Sequence, residues 1–179
     1  MTQVSRRHFI KNAGGAGIAL WLGISAKGTP GKTLNIGEAK NFTPYILVEP
    51  GGAITIFNTK PEMGQGTFQS IPALIAEEFE VSLDQVTIKQ SNGEKEFGDR
   101  QRAGGSASVR TSYTDLRKVG ASAKAVFITA ASKKWQVDEA SCYAENGKVI
   151  HSPTNRTFTY GDLVEEASKL ELPKEPKLK

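Results

Sequence analysis

Tyr45-Ile46-Leu47-Val48-Glu49-Pro50-Gly51-Gly52-Ala53-Ile54-Thr55-Ile56-Phe57 is the stretch on which the fold turns. Two apolar, β-branched runs flank Pro50-Gly51-Gly52, which predicts a hairpin. The polar glycine loop Lys60-Pro61-Glu62-Met63-Gly64-Gln65-Gly66 comes next. Phe68, Ile71, Leu74, Ile75 and Phe79 then recur at helical spacing, predicting a helix to about Glu80. Pro72 falls near the start of that helix, where a missing N–H is tolerated. Gln85 to Gln90 alternates as a strand does. The result is a strand–loop–helix–strand unit, whose crossover is right-handed if the two strands run parallel.

Farther along, Ser91 to Ala107 reads as a loop of about 17 residues, long enough to call for a functional reason. Val109, Tyr113, Leu116, Val119, Ala123, Phe127, Ala130 and Trp135 mark one stripe of a long helix. The small residues Gly120, Ala121, Ser122, Ala123 and Ala125 predict that this helix packs closely against a sheet. Cys142 to Ile150, turning at Asn146-Gly147, is a strong hairpin signal. Thr159 reads as the N-cap of a last helix through about Leu170, before a Pro- and Lys-rich end. The class is α/β or α+β, a mixed sheet with hairpins and crossover helices.

Composition bounds the chemistry. The chain has 179 residues, with a formal net charge of +4. One cysteine excludes an internal disulfide, a cysteine zinc site and an iron–sulfur cluster held by this chain alone. Two histidines, 143 positions apart, exclude a histidine triad. Any redox metal has to arrive on another carrier.

The first 26 residues stand apart in composition. Ser5-Arg6-Arg7-His8-Phe9-Ile10-Lys11 precedes a weakly apolar, glycine-rich run from Ala13 to Ala26, too short for a membrane span. The order resembles the twin-arginine signal, which bacteria use to export folded proteins. Export to the periplasm is the expectation, with an uncleaved anchor left open because Ile24-Ser25-Ala26 is a weak cleavage site. Of the 23 bases and 19 acids, this segment holds Arg6, Arg7 and Lys11 and no acid, so the rest has 20 against 19. A nucleic-acid binder would keep a basic face in its folded part, and no nucleic-acid partner is expected.

Two glycine-rich loops open helices: Glu62 to Gly66, and Gly104-Gly105-Ser106-Ala107-Ser108. Helix N-termini present unpaired N–H groups and a positive dipole end, and glycine allows close approach. Gln65 adds an amide, and Ser106 and Ser108 add hydroxyls. Two such loops facing one crevice suit a polar, phosphate-bearing ligand, and turns with no ligand use the same residues. Arg100 and Arg102, just before the second loop, either pair with a phosphate or lie in solvent. Taken alone, the residues leave a non-catalytic exported module holding a small anion, or a truncated remnant, as open readings.

Glu62-Met63-Gly64-Gln65-Gly66, a helix, a short strand and then Gly104-Gly105-Ser106-Ala107-Ser108-Val109-Arg110 together resemble the xanthine oxidase family of molybdenum hydroxylases. The likeness is to the N-terminal portion of the large subunit of the isoquinoline 1-oxidoreductase type, and it covers essentially the whole chain. It implies a signal over residues 1–26, a linker over 27–44, a molybdopterin-binding domain over 45–172 and a linker over 173–179 to downstream domains. It implies molybdopterin with molybdenum, in the cytosine dinucleotide form. Gly64, Gln65 and Gly66 would contact the pterin or its phosphate, and Gly105, Ser106, Ala107 and Ser108 would line the cofactor near the metal. Other branches carry T-A-A-S at the second loop, where Gly105 and Ser106 stand here.

The resemblance also implies a small partner subunit with 2Fe–2S clusters. The complete enzyme would oxidise an N-heterocycle or an aldehyde with oxygen taken from water. The family's catalytic glutamate lies late in the large subunit, so this segment alone is expected to be inactive. Glu62 is read as a loop-rim carboxylate, Cys142 as a buried structural residue and His151 as a surface or turn residue.

Overall fold

The computed structural model describes residues 40–179, with side-chain environments from Thr43 onward. The signal-like segment and most of the 27–44 stretch lie outside the described residues. Both classes of element are present: among the described residues, two small sheets and three helices surround one apolar core.

The first sheet has the order β1-β2-β3-β4, with β1 Lys40–Thr43, β2 Ile46–Val48, β3 Ile54–Asn58 and β4 Val86–Gln90. The expected hairpin is β2 and β3, antiparallel with Ile46 opposite Ile56 and Val48 opposite Ile54. β1 extends it on the other side, in a stretch expected from the sequence to be linker. β3 and β4 run parallel, Ile54 opposite Val86 and Asn58 opposite Gln90. Helix α1, Thr67–Phe79, connects them. Ile71, Ile75 and Phe79 are buried as the periodicity predicts, but Phe68 is exposed on the first turn. Pro72 lies in the second turn, not the first, so the Phe68 carbonyl goes without its usual helical donor.

The second sheet is an antiparallel meander: β5 Cys142–Glu145, β6 Lys148–His151 and β7 Arg156–Thr159. Asn146 and Gly147, both at positive φ, make its first turn. Helix α2 spans Ser108–Trp135 and helix α3 Tyr160–Ala167. Thr159 caps α3 in a reciprocal pair with Asp162, and the helix stops three residues short of the expected Leu170.

The packing of α2 corrects two expectations. Val109 and Tyr113 are exposed; the buried stripe starts at Leu116. Gly120, among the small residues, serves a close contact with a helix and not with a sheet. A Cβ at Gly120 would lie 2.3 Å from the Ile75 carbonyl oxygen of α1. The backbones of α1 and α2 meet there as no other residue would allow.

Tyr160 is the centre of the core. Its ring stacks on Phe79 and Phe127 at centroid separations of 4.6 and 4.4 Å. Its hydroxyl donates to the Phe79 carbonyl at 2.8 Å, satisfying a carbonyl at the end of α1. Pro173 to Lys179, expected as a linker, lies along α1 and α2 instead. Ser122 donates to the Pro173 carbonyl at 2.8 Å, and the Lys179 N–H donates to the buried Glu78 at 3.1 Å. Glu78 also takes a 2.7 Å hydrogen bond from Arg117 of α2.

Candidate functional site

Both helices whose starts the sequence singled out do begin at glycine loops, but the two loops are built differently. Gly66 is the N-cap of α1 in the left-handed region, at φ 83°, which only glycine adopts without strain. The N-terminus is closed by the chain's own acid. Glu62 Oε1 accepts from the N–H groups of Gly64 at 2.7 Å and Gly66 at 3.1 Å. Its Oε2 accepts from the Phe68 N–H at 2.7 Å. These bonds, that from Phe68 foremost, hold the carboxyl well below its ordinary range, at about 2. Glu62 therefore stays ionised and occupies the anion-binding concavity at this helix end.

Gln65 is committed within the same loop. Its Nε2 donates to the Pro61 carbonyl at 2.6 Å and to the Thr67 hydroxyl at 3.0 Å, and its Oε1 accepts from the Met63 N–H at 2.6 Å. Its amide shapes the loop, leaving the exposed backbone edge of Gly64, Gln65 and Gly66 as the surface on offer.

The second loop lacks such closure. Gly105 and Ser106 both adopt positive φ, 59° and 51°, a strained conformation for the serine. Ala107 is the N-cap of α2 and supplies no side-chain cap. The N–H groups of Ser108, Val109 and Arg110 find no acceptor among the described residues. Gly104, Ala107 and Ser108 open instead onto a hollow of about 260 Å³, whose other walls are Lys60, Arg100, Arg102 and Thr111.

Lys60 is the residue that motif reasoning missed. Only 3% of its surface is exposed. It lies two residues past the end of β3, and the chain there is clamped at the C-terminal ends of the two parallel strands. Buried Asn58 donates to the Lys60 carbonyl and to Gln90 Oε1, both at 2.8 Å, and accepts from the Lys60 N–H at 3.1 Å. The Lys60 ammonium donates to the Arg100 carbonyl. Burial, then the Arg100 and Arg102 charges, lowers its pKa below the usual lysine value. No carboxylate lies within ion-pair distance of Lys60, Arg100 or Arg102 among the described residues. One signal was present in the sequence: a lysine prolonging a buried strand run, between Thr59 and Pro61.

The loop that carries the arginines is itself ordered. Buried Phe97 packs on Tyr45 and Phe57 at centroid distances of 5.4 Å, and the Tyr45 hydroxyl donates to the Phe97 carbonyl at 3.1 Å. A second hollow of about 240 Å³ adjoins the first through Lys60, Arg100 and Thr111 and is bordered by Asp99 and Asp115. The first glycine loop borders neither hollow; Glu62 faces a separate, shallow one beside Phe68 and Gln90. Of the residues singled out in the sequence, Ala107 and Ser108 line the same hollow as Arg100 and Arg102, and Gly64, Gln65, Gly66, Gly105 and Ser106 do not line it. Cys142 is buried, as expected. His151 is also buried, not at the surface, with Nδ1 2.7 Å from the Thr154 hydroxyl. No group of three or more His, Cys, Asp or Glu side chains among the described residues is placed to hold a metal ion.

The molybdopterin cofactor-binding domain family matches residues 3–179, nearly the whole chain. The chain belongs to that family. The beta subunit of isoquinoline 1-oxidoreductase from Brevundimonas diminuta is 29% identical over 170 residues, 90% of this chain and 22% of that protein. A nicotinate dehydrogenase subunit from Pseudomonas putida is 29% identical over 127 residues, 68% of this chain and 10% of that protein. A reconstituted CO dehydrogenase from Oligotropha carboxidovorans superposes with a TM-score of 0.54 at 19% identity, over 66% of this chain and 15% of that one. That likeness is one of fold. The resemblance to the xanthine oxidase family of molybdenum hydroxylases holds, and this molybdopterin-binding chain spans about a fifth or less of these relatives.

The residues present fit a phosphate-bearing cofactor. A buried, uncompensated lysine, two arginines and an uncapped helix start converge on one hollow, and Ser108 adds a hydroxyl.

Proposed function

We propose that the protein is the N-terminal part of the cofactor-holding large subunit of an exported molybdenum hydroxylase. The bound cofactor, in its cytosine dinucleotide form, would supply two-electron oxidation with oxygen from water. This chain's part is to bind and orient. The backbone edge of Gly64, Gln65 and Gly66 offers a wall that a pterin can approach closely. The loop from Gly105 to Ser108 presents N–H groups and hydroxyls at the start of α2. Neither loop holds a group suited to act as base, since Glu62 is locked as an ionised cap. The base and most of the substrate pocket are therefore assigned to the rest of the enzyme.

The observation that carries this reading is the family match across residues 3–179, joined to a basic hollow at the open start of α2. The names of the two relatives, isoquinoline and nicotinate enzymes, support N-heteroaromatic compounds as the substrate class, with aldehydes second. The single cysteine supports a separate small subunit for the 2Fe–2S clusters. Ser5-Arg6-Arg7-His8-Phe9-Ile10-Lys11 supports export of the folded complex to the periplasm.

The test is to purify the complete subunit with its partners and assay molybdenum, pterin and oxidation of isoquinoline, nicotinate and an aldehyde. About one molybdenum and one pterin per complex, with turnover of a heterocycle, is expected. A stable complex without molybdenum refutes the reading. Replacing Arg6 and Arg7 with lysine should retain the complex in the cytoplasm; unchanged export refutes the signal assignment.

A further inference from the structure

We infer that Lys60, with Arg100 and Arg102, forms the anchor for a phosphate group, and that the glycine loop at Gly64 to Gly66 does not. The inference rests on the proposed cofactor role and goes further by naming the residues and the charge they recognise.

Three observations converge. The first is exclusion. The anion-binding concavity before α1 already contains the Glu62 carboxylate, with both oxygens hydrogen-bonded to backbone N–H groups. A phosphate placed there would meet a fixed negative charge within the same few ångströms.

The second is an unmet demand. A lysine 3% exposed is costly unless an anion accompanies it. Lys60 has the Arg100 carbonyl as acceptor and no carboxylate partner among the described residues. Arg100 and Arg102 add like charge around it, which lowers its pKa and makes an anion at this point more favourable. Asp99 and Asp115 border the adjoining hollow, and neither comes within ion-pair distance of the three cations.

The third is shape. The hollow of about 260 Å³ exceeds the space a single water needs and is walled on one side by Gly104, Ala107 and Ser108. The Ser108 N–H at this wall lacks an acceptor, as do those of Val109 and Arg110 in the same first turn of α2. Three cations and a helix dipole suit an anion of two or more charges, as phosphate esters and diphosphates carry, better than a monocarboxylate.

The fold prepares this site from both sides. Asn58 and Gln90 clamp the ends of β3 and β4 and set the Lys60 backbone. Phe97, buried against Tyr45 and Phe57, holds the loop that brings Arg100 over it.

The experiment uses the full complex isolated from cells that cannot make the pterin. Inorganic phosphate, pyrophosphate and malonate are titrated by calorimetry against wild type, Lys60→Met, and Arg100→Gln combined with Arg102→Gln. Pterin content is measured separately on the same complexes from pterin-making cells. Wild type should bind pyrophosphate or phosphate, and which of the two binds tighter tells a diphosphate linkage from a monoester. Lys60→Met should weaken that binding about tenfold or more, the effect of one charged hydrogen bond, and should lower retained pterin.

Unchanged anion affinity and pterin content in Lys60→Met overturn the inference and leave the cofactor role standing. Lys60-dependent pyrophosphate binding by a complex that never contains pterin supports the anion site and refutes the cofactor role. Malonate binding as tightly as pyrophosphate overturns the phosphate assignment. If Lys60→Met does not fold, the exposed arginine pair decides: weakened pyrophosphate binding supports the inference, and unchanged binding overturns it.

Discussion

Gly120→Ala tests the joint that fixes the spacing of the two loops. Helix propensity alone favours alanine inside a helix by about 1 kcal/mol. The packing opposes it. The added Cβ would lie 2.3 Å from the Ile75 carbonyl oxygen, 3.0 Å from Glu78 Cβ and 3.1 Å from the Ile75 carbonyl carbon. Two of those three atoms are backbone, so no rotamer change relieves the contact. Reaching an ordinary 3.4 Å requires α1 and α2 to part by about 1 Å.

Overpacking of this kind costs about 1–3 kcal/mol, and a backbone obstacle belongs at the upper end. The net effect is a loss of about 1–2 kcal/mol, or a thermal midpoint lower by roughly 3–8 °C in a chain of this size. Far-UV circular dichroism on heating, with a urea titration whose slope stays constant, measures it. Gly120 lies about 18 Å along α2 from its start, and Ile75 about 12 Å along α1 from its own. Parting the helices therefore also moves the two glycine loops relative to each other, and retained pterin should fall in the complete enzyme. An alanine variant as stable as wild type refutes the packing argument outright.

Two further outcomes follow from the same packing and capping. Tyr160→Phe removes the 2.8 Å donor to the Phe79 carbonyl and leaves that carbonyl buried; it should cost about 1–2 kcal/mol, read as a shifted urea midpoint at constant slope. Glu62, held near 2 against an ordinary 4.5, contributes stability that is complete above pH 4.5 and is lost as pH falls toward 2. Glu62→Gln should therefore lower stability at pH 7 and flatten the acid limb of the stability profile; an unchanged profile removes Glu62 from its capping role.

Much of the fold was legible because local and tertiary forces agree. The β2–β3 hairpin combines buried β-branched residues with a Pro-Gly-Gly turn, and the β5–β6 hairpin sits on Asn146-Gly147 at positive φ. Where reading failed, tertiary context decided. β7 is short and polar, Arg156-Thr157-Phe158-Thr159, and exists by pairing with β6. Small residues in α2 indicate close approach, but whether to a sheet or a helix depends on what lies opposite, and Ile75 of α1 does. His151 looked like a turn residue by position, yet its partner Thr154 lies only three residues on and lets the ring be buried.

The candidate site divides the same way. Both glycine loops were visible as motifs, because positive φ and helix starts constrain residue type locally. Their inequivalence was not visible. A carboxylate four residues before a helix N-cap can point outward or fold back onto the N–H groups, and Glu62 folds back. That choice leaves α2 as the helix whose start still offers donors. Lys60 escapes a motif search for a related reason: its meaning comes from burial, which depends on the Asn58–Gln90 clamp and on Phe97 seating the distant loop. A chain that buries one lysine beside two arginines, while neutralising its other helix start with its own acid, concentrates positive charge in one hollow. The anion that hollow is built to receive meets attraction there and repulsion at Glu62, so charge alone orients a ligand with one phosphate end.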